Sequence, residues 1–184
     1  VGVAETYFAK GDLATGAEVA QEALAAAERT GDAFDRLSAH SAVSFPLLYQ
    51  GHFSRVLQHF DHGIELYNPS EHGSLAYTVE FDRGVIAHAF AAQCHVYLGH
   101  PDRALALSEA AVALARRVEH PVSLADALHL AGFVHGERGE LDRTRERAEE
   151  VVVLAEQLGF PFYLGLGRVL RGWVRVESGE GEAG

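Results

Sequence analysis

A turn-forming glycine recurs along this chain at Gly11, Gly51, Gly99, Gly139 and Gly179, at intervals of 40, 48, 40 and 40 residues. Self-similarity at such a period is the mark of a repeat architecture, and it constrains the fold more than any local propensity. After each glycine the apolar residues fall three and four apart. One set is Ala104, Leu107, Ala111, Leu114, Ala115 and Val118, and another is Leu141, Ala148, Val151, Val152, Ala155 and Leu158. This is one face of a helix with 3.6 residues per turn, and strand alternation does not fit it. About halfway through each period stands a second mark: Gly31-Asp32, Asn68-Pro69, His120-Pro121 or Phe160-Pro161. Proline pushes its predecessor out of the helical region, so these marks separate helices. Each period therefore reads as two helices of about 16–18 residues joined by a glycine turn.

Small residues hold the positions where two helices must come close. Seven places before the glycines stand Ala4, Ser44, Ala92, Gly132 and Gly172, and five places after them Gly16, Val56, Ala104 and Thr144. A single helix pair cannot bury its apolar face, whereas stacked pairs share a continuous core. The expected fold is all-α, a right-handed α-solenoid, with residues 1–184 forming one repeat domain of about four and a half helix pairs. The chain contains no methionine, which marks it as a processed chain or a piece of a larger protein. The helix before Gly11 reads as cut short, and Glu180-Gly-Glu-Ala-Gly184 as the start of a further pair.

The small residue before the turn, the turn glycine and the small residue in the next helix resemble a tetratricopeptide-type (TPR-like) repeat. The period is 40 here against about 34 in that family, and Ala, Val, Leu or His replace most of its aromatic anchors. Phe81-Asp-Arg-Gly-Val85, Tyr97-Leu-Gly-His-Pro-Asp-Arg-Ala104, His120-Pro-Val-Ser-Leu-Ala125, Leu158-Gly-Phe-Pro161 and Gly172-Trp173 resemble the C-terminal repeats of bacterial multidomain signalling proteins. Those proteins carry a class III adenylate or guanylate cyclase domain, or a kinase, followed by an AAA-type ATPase. The resemblance implies such a parent protein; no cyclase or ATPase motif lies within these residues.

The longer interval places its extra eight residues between Tyr67 and Asp82. Asn68-Pro-Ser-Glu-His-Gly-Ser opens with turn formers, and Asp82 is placed to cap the next helix. The insertion reads as a long surface loop, or as a loop on the binding face.

Acidic residues outnumber basic ones by 26 to 15, for a net charge of −11, which argues against nucleic acid as a partner. No apolar run approaches the roughly 18 residues of a membrane span. A single cysteine, Cys94, leaves no internal disulfide, and the N-terminus has no basic region leading into an apolar one. Cytoplasmic placement is the expectation.

No nucleotide-binding glycine loop, zincin motif or nucleophile elbow is present; Gly165-Leu-Gly-Arg-Val-Leu-Arg-Gly172 reads as helix packing. No catalytic residue, metal site or cofactor is expected. Of the 11 histidines, His59 and His62 share a helix face and would need a third ligand from elsewhere to hold zinc. His95 and His135, at equivalent places, are expected in the core with one hydrogen bond each. The charged run from Glu137 to Glu150 reads as a solvated face, with Arg145 paired to Asp142 and Glu149. Arg168, Arg171 and Arg175 form a basic stripe, placed either to grip an acidic partner or to cover an end buried in the parent.

In such solenoids the first helix of each pair lines the concave face. Counting back from the glycines gives Phe45 and Tyr49, Gln93 and Tyr97, Asp126, His129 and Phe133, and Trp173. Aromatics interspersed with hydrogen-bonding groups suit a groove for a peptide, a helix or a small molecule. The leading expectation is a non-enzymatic interaction and regulatory module that binds a protein, a peptide or a neighbouring domain, with exposed repeat ends open to homodimer formation. A small-molecule sensor is the alternative, and an enclosed cavity of about 300 Å³ or more would favour it.

Overall fold

Aspartate or proline opens most of the helices, and left-handed glycine closes most of the turns between them. In the computed structural model, which describes residues 2–180, the helices are α1 (Gly2–Ala9), α2 (Leu13–Thr30), α3 (Ala33–Tyr49), α4 (Phe53–Leu66), α5 (Pro69–His72), α6 (Arg83–Tyr97), α7 (Pro101–Val118), α8 (Pro121–Glu137), α9 (Leu141–Leu158) and α10 (Pro161–Glu177). The Asp12, Asp32 and Asp82 carboxylates accept from the backbone N–H groups of Thr15, Asp35 and Val85, at 3.1, 2.8 and 2.8 Å. Pro101, Pro121 and Pro161 occupy first turns, where a missing N–H costs nothing. The five turn glycines have φ between 74° and 77°, a region that a side chain disfavours. Pro46 departs from the rule that proline marks a helix end, since it lies within the last turn of α3. Of the segment expected to open another pair, only Glu180 is among the described residues.

Apart from the short α5, which α4 bypasses to pack on α6, each helix packs against the next, and α3, α6, α8 and α10 also pack against one another in succession. No comparable packing joins α7 to α9. The first helices of the pairs thus form the inner row, and α4, α7 and α9 the outer one. The small positions explain the spacing. Ala4, Ser44, Ala92, Val56, Ala104 and Thr144 are all 0% exposed, so the backbones meet over them. Gly172 is exposed on α10.

The extra eight residues fold into α5 and a 3-10 turn, Gly73–Tyr77, so the surface-loop expectation does not hold. They wedge between helix ends on the edge opposite the glycine turns. His72 is buried against the rings of Phe34 and Tyr67, and Tyr77 stands edge-on to His120 while its hydroxyl donates to the Glu119 carbonyl at 3.1 Å. Asp82, 1% exposed, closes this segment onto the solenoid. Its carboxylate accepts from the Tyr67 hydroxyl at 2.7 Å, and its backbone N–H donates to Ser123 Oγ at 2.7 Å.

Gly84 lets the Tyr67 ring lie directly on the α6 backbone. A Cβ there would stand 2.5 Å from the ring. Gly84→Ala is expected to cost about 1–3 kcal/mol by overpacking, read as a lowered urea midpoint; an unchanged midpoint would show that the ring is free to move aside.

Candidate interaction groove

The inner row presents its free face to a groove whose walls come from α3, α6, α8 and α10. Tyr49, Gln93, Tyr97, Asp126 and His129 line one cavity of about 410 Å³ together with Phe53, Phe90 and Phe162. His129 is shared with an adjoining apolar cavity of about 250 Å³, where Phe133 and Trp173 stand with Val169 and Leu170. Seven of the eight side chains expected on the concave face therefore meet in two connected cavities. Phe45 lines neither; it is packed between Phe8 and Phe90, at ring separations of 6.3 and 5.2 Å, and belongs to the core.

The rim is aromatic and open. Tyr49 is 70% exposed, Tyr97 48% and Phe162 68%. Tyr97 joins a ladder of rings, with Phe53 at 4.6 Å on one side and Phe133 at 5.8 Å on the other. Phe53 was missed because it opens α4, an outer helix, and its ring reaches over the lip. Phe162, Leu166, Val169 and Trp173 share one face of α10 by helical spacing, so Phe162 was legible from that period. Gly136 seats the indole: a Cβ there would lie 2.8 Å from the Trp173 ring.

The base is polar. The Tyr163 hydroxyl hydrogen-bonds to Asp126, and burial, with Glu80 nearby, pushes the Asp126 carboxyl up to about 7. Gln93 Nε2 donates to the Tyr97 hydroxyl at 3.3 Å, which leaves Gln93 Oε1 buried without a partner. Burial lowers the His129 pKa and keeps the ring neutral, and its Nδ1 also lacks a partner.

The remaining candidate residues lie elsewhere. Arg168, Arg171 and Arg175 are exposed on a different face of α10, and Arg171 Nε donates to Glu149 at 2.9 Å. They stand 40 residues after Leu128, Ala131 and His135, all buried in α8. The expected Arg145–Glu149 pair does not form, since Glu149 faces Arg171 and Arg145 reaches Ser178 and Glu180, both at 3.3 Å. The charged run is not simply a solvated face. Arg138 ties Asp102 to Glu140, and Glu150 joins Arg116 and Arg147.

The histidines also divide. His135 Nδ1 meets Glu140 at 2.6 Å, as expected of a core histidine, but His95 Nδ1 is buried with no partner. His59 and His62 do gain a neighbour in His40, whose Nδ1 lies 2.9 Å from His59 Nδ1. Among the described residues no group of three or more His, Cys, Asp or Glu is arranged to hold a metal ion. Cys94 is buried, its thiol pushed up to about 12 by desolvation. No helix is long and apolar enough to cross a membrane among the described residues.

No protein-family model and no curated protein matches the chain. Solved structures do. Aspartyl phosphate phosphatase F from Bacillus subtilis is similar with a TM-score of 0.75 at 15% identity, over 94% of this chain and 43% of that one. The chain thus spans less than half of that relative. BtubC (BKLC) from P. vanneervenii gives 0.74 at 17% identity, over 97% of this chain and 71% of that one. A putative kinesin light chain of nearly identical TPR-like repeats from Podosopora anserina gives 0.68 at 17%, over 99% of this chain and 86% of that one. These likenesses establish the fold as an all-α solenoid of TPR-like helix pairs.

Proposed function

We propose that this chain is a non-enzymatic interaction module that seats a segment of a protein partner in the groove of its inner helices. One observation carries the reading: an open aromatic rim stands over buried polar atoms that have no partner within the fold. Unpaired buried acceptors cost stability, and a bound chain that supplies donors recovers it. The cavity exceeds the volume set for a small ligand, but its rim is open, with Tyr49 and Phe162 more than two-thirds exposed. An open channel suits a peptide better than an enclosed small molecule.

The resemblance of segments such as Phe81–Val85 and Tyr97–Ala104 to bacterial cyclase, kinase and ATPase signalling proteins motivates a finer proposal. Residues 1–184 act as one repeat domain of a cytoplasmic signalling protein, and partner binding biases the state of the parent's other domains. That mechanism requires unequal affinity for two states of the parent.

Tyr97→Ala and Trp173→Ala test the groove against any partner once it is identified. Exposed or half-exposed groove aromatics are expected to contribute about 2 kcal/mol each, a loss of roughly thirtyfold in affinity, with the fold retained by circular dichroism. Unchanged affinity in both variants would move the interface off this face.

A further inference from the structure

The two cavities differ in chemistry, and the difference selects an occupant. The larger one is rich in acceptors at its base. Asp126 offers a carboxylate, Gln93 offers Oε1 because its Nε2 is engaged by Tyr97, and neutral His129 offers a ring nitrogen. Two further carboxylic side chains lie close by: Glu80 acts on Asp126, and Glu137 lines the adjoining cavity. No Lys or Arg lines either cavity among the described residues. A group that satisfies several acceptors at once in such a field is a cation with several N–H donors.

The rings decide which cation. Phe53, Tyr97 and Phe133 form a ladder above the acceptors. A planar guanidinium stacks on aromatic faces while its five N–H groups reach acceptors in its own plane; an ammonium is a compact, strongly hydrated point charge. The adjoining cavity, floored by Leu170 and Trp173, takes an apolar side chain.

We infer that the groove recognises a peptide segment in which an arginine seats on Asp126 and Gln93 while a neighbouring aromatic or aliphatic side chain enters the cavity of Phe133 and Trp173. This deepens the proposed function and rests on it. The guanidinium supplies the donor that Gln93 Oε1 lacks and adds to the one that the Asp126 carboxylate takes from Tyr163, and its charge favours the ionised form of a carboxyl that burial and Glu80 hold back.

The test uses acetyl-Phe-Arg-Phe-amide and its citrulline counterpart, which keeps the shape and loses the charge. Each is titrated into the labelled domain, and the Gln93 side-chain amide and the aromatic ring signals are followed by NMR. The arginine peptide is expected to bind about tenfold more tightly than the citrulline one. In Asp126→Asn, which keeps the shape of the site and removes its charge, the preference is expected to fall below about threefold. Equal binding of the two peptides, with shifts in the groove, would overturn the guanidinium site and leave the groove reading standing. A preference that survives in Asp126→Asn would overturn it too. Absence of groove shifts with either peptide at millimolar concentration would overturn both.

Discussion

Asp82→Ala is expected to lower the unfolding free energy by about 3 kcal/mol. The carboxylate caps α6 through Val85 N–H, and loss of such a cap costs about 1 kcal/mol. It also accepts from the half-buried Tyr67 hydroxyl at 2.7 Å, and a stranded donor there costs a further 1–3 kcal/mol. Asp82 is 1% exposed, so water does not replace the lost partner. Burial raises the Asp82 pKa, with Tyr67 and the α6 amides acting against it. Asp82→Asn keeps Oδ1 as the acceptor for the Val85 N–H and turns Nδ2–H toward the Tyr67 oxygen, which accepts it, so it is expected to cost less than the alanine variant. Urea unfolding followed by circular dichroism measures both. Equal losses for the two variants would place the contribution in the charge and not in the hydrogen bonds. Because the end of α4, the start of α6 and α8 all meet at this residue, the loss is expected to loosen the middle of the solenoid before its ends.

Acid is expected to act through His40. Its ring is 7% exposed, and burial, followed by the nearby His59 and His62, pushes its pKa down from 6.5 to about 4. The unfolded chain therefore binds more protons than the folded one between these values. The contribution to stability is complete above pH 6.5 and is lost as pH falls toward 4. At about 1.4 kcal/mol per unit, roughly 3 kcal/mol is at stake by pH 4. Asp126 works in the opposite sense, its raised pKa favouring the fold at low pH, so the total curve mixes both effects. The clean quantity is the difference between wild type and His40→Leu, leucine being what the repeat carries at Leu128. That difference is expected to shift against the wild type by about 3 kcal/mol between pH 7.5 and 4. Parallel pH profiles would show that His40 charges freely in the folded state.

Period and punctuation made the helices legible, because a turn glycine and a capping Asp or Pro act locally. The inner face was legible for the same reason: counting back from each glycine by the helical period finds Gln93, Tyr97, Asp126 and His129 together. What failed depended on contacts distant in sequence. Phe45 sits at the same offset from its glycine as Gln93 and Phe133, yet α1 brings Phe8 over it. Phe53 belongs to an outer helix and enters the groove only because its ring stacks on Tyr97. The segment after Tyr67 has the composition of a loop, and it is held in place by contacts with Val118, Glu119 and His120, about 40 residues further on. Glu149 has an arginine at helical spacing in Arg145, but α10 offers it Arg171 instead. Local pattern fixes helix faces, whereas partner choice across helices is settled by packing.

A random-peptide display library selected against the wild-type domain, and in parallel against the Tyr97→Ala, Trp173→Ala double variant, tests the central claim most directly. The account predicts enriched sequences with the wild type that are lost with the double variant, and protection from hydrogen exchange in α6, α8 and α10 when such a peptide is bound. The same peptides recovered from both proteins, or protection confined to the outer helices, would contradict it.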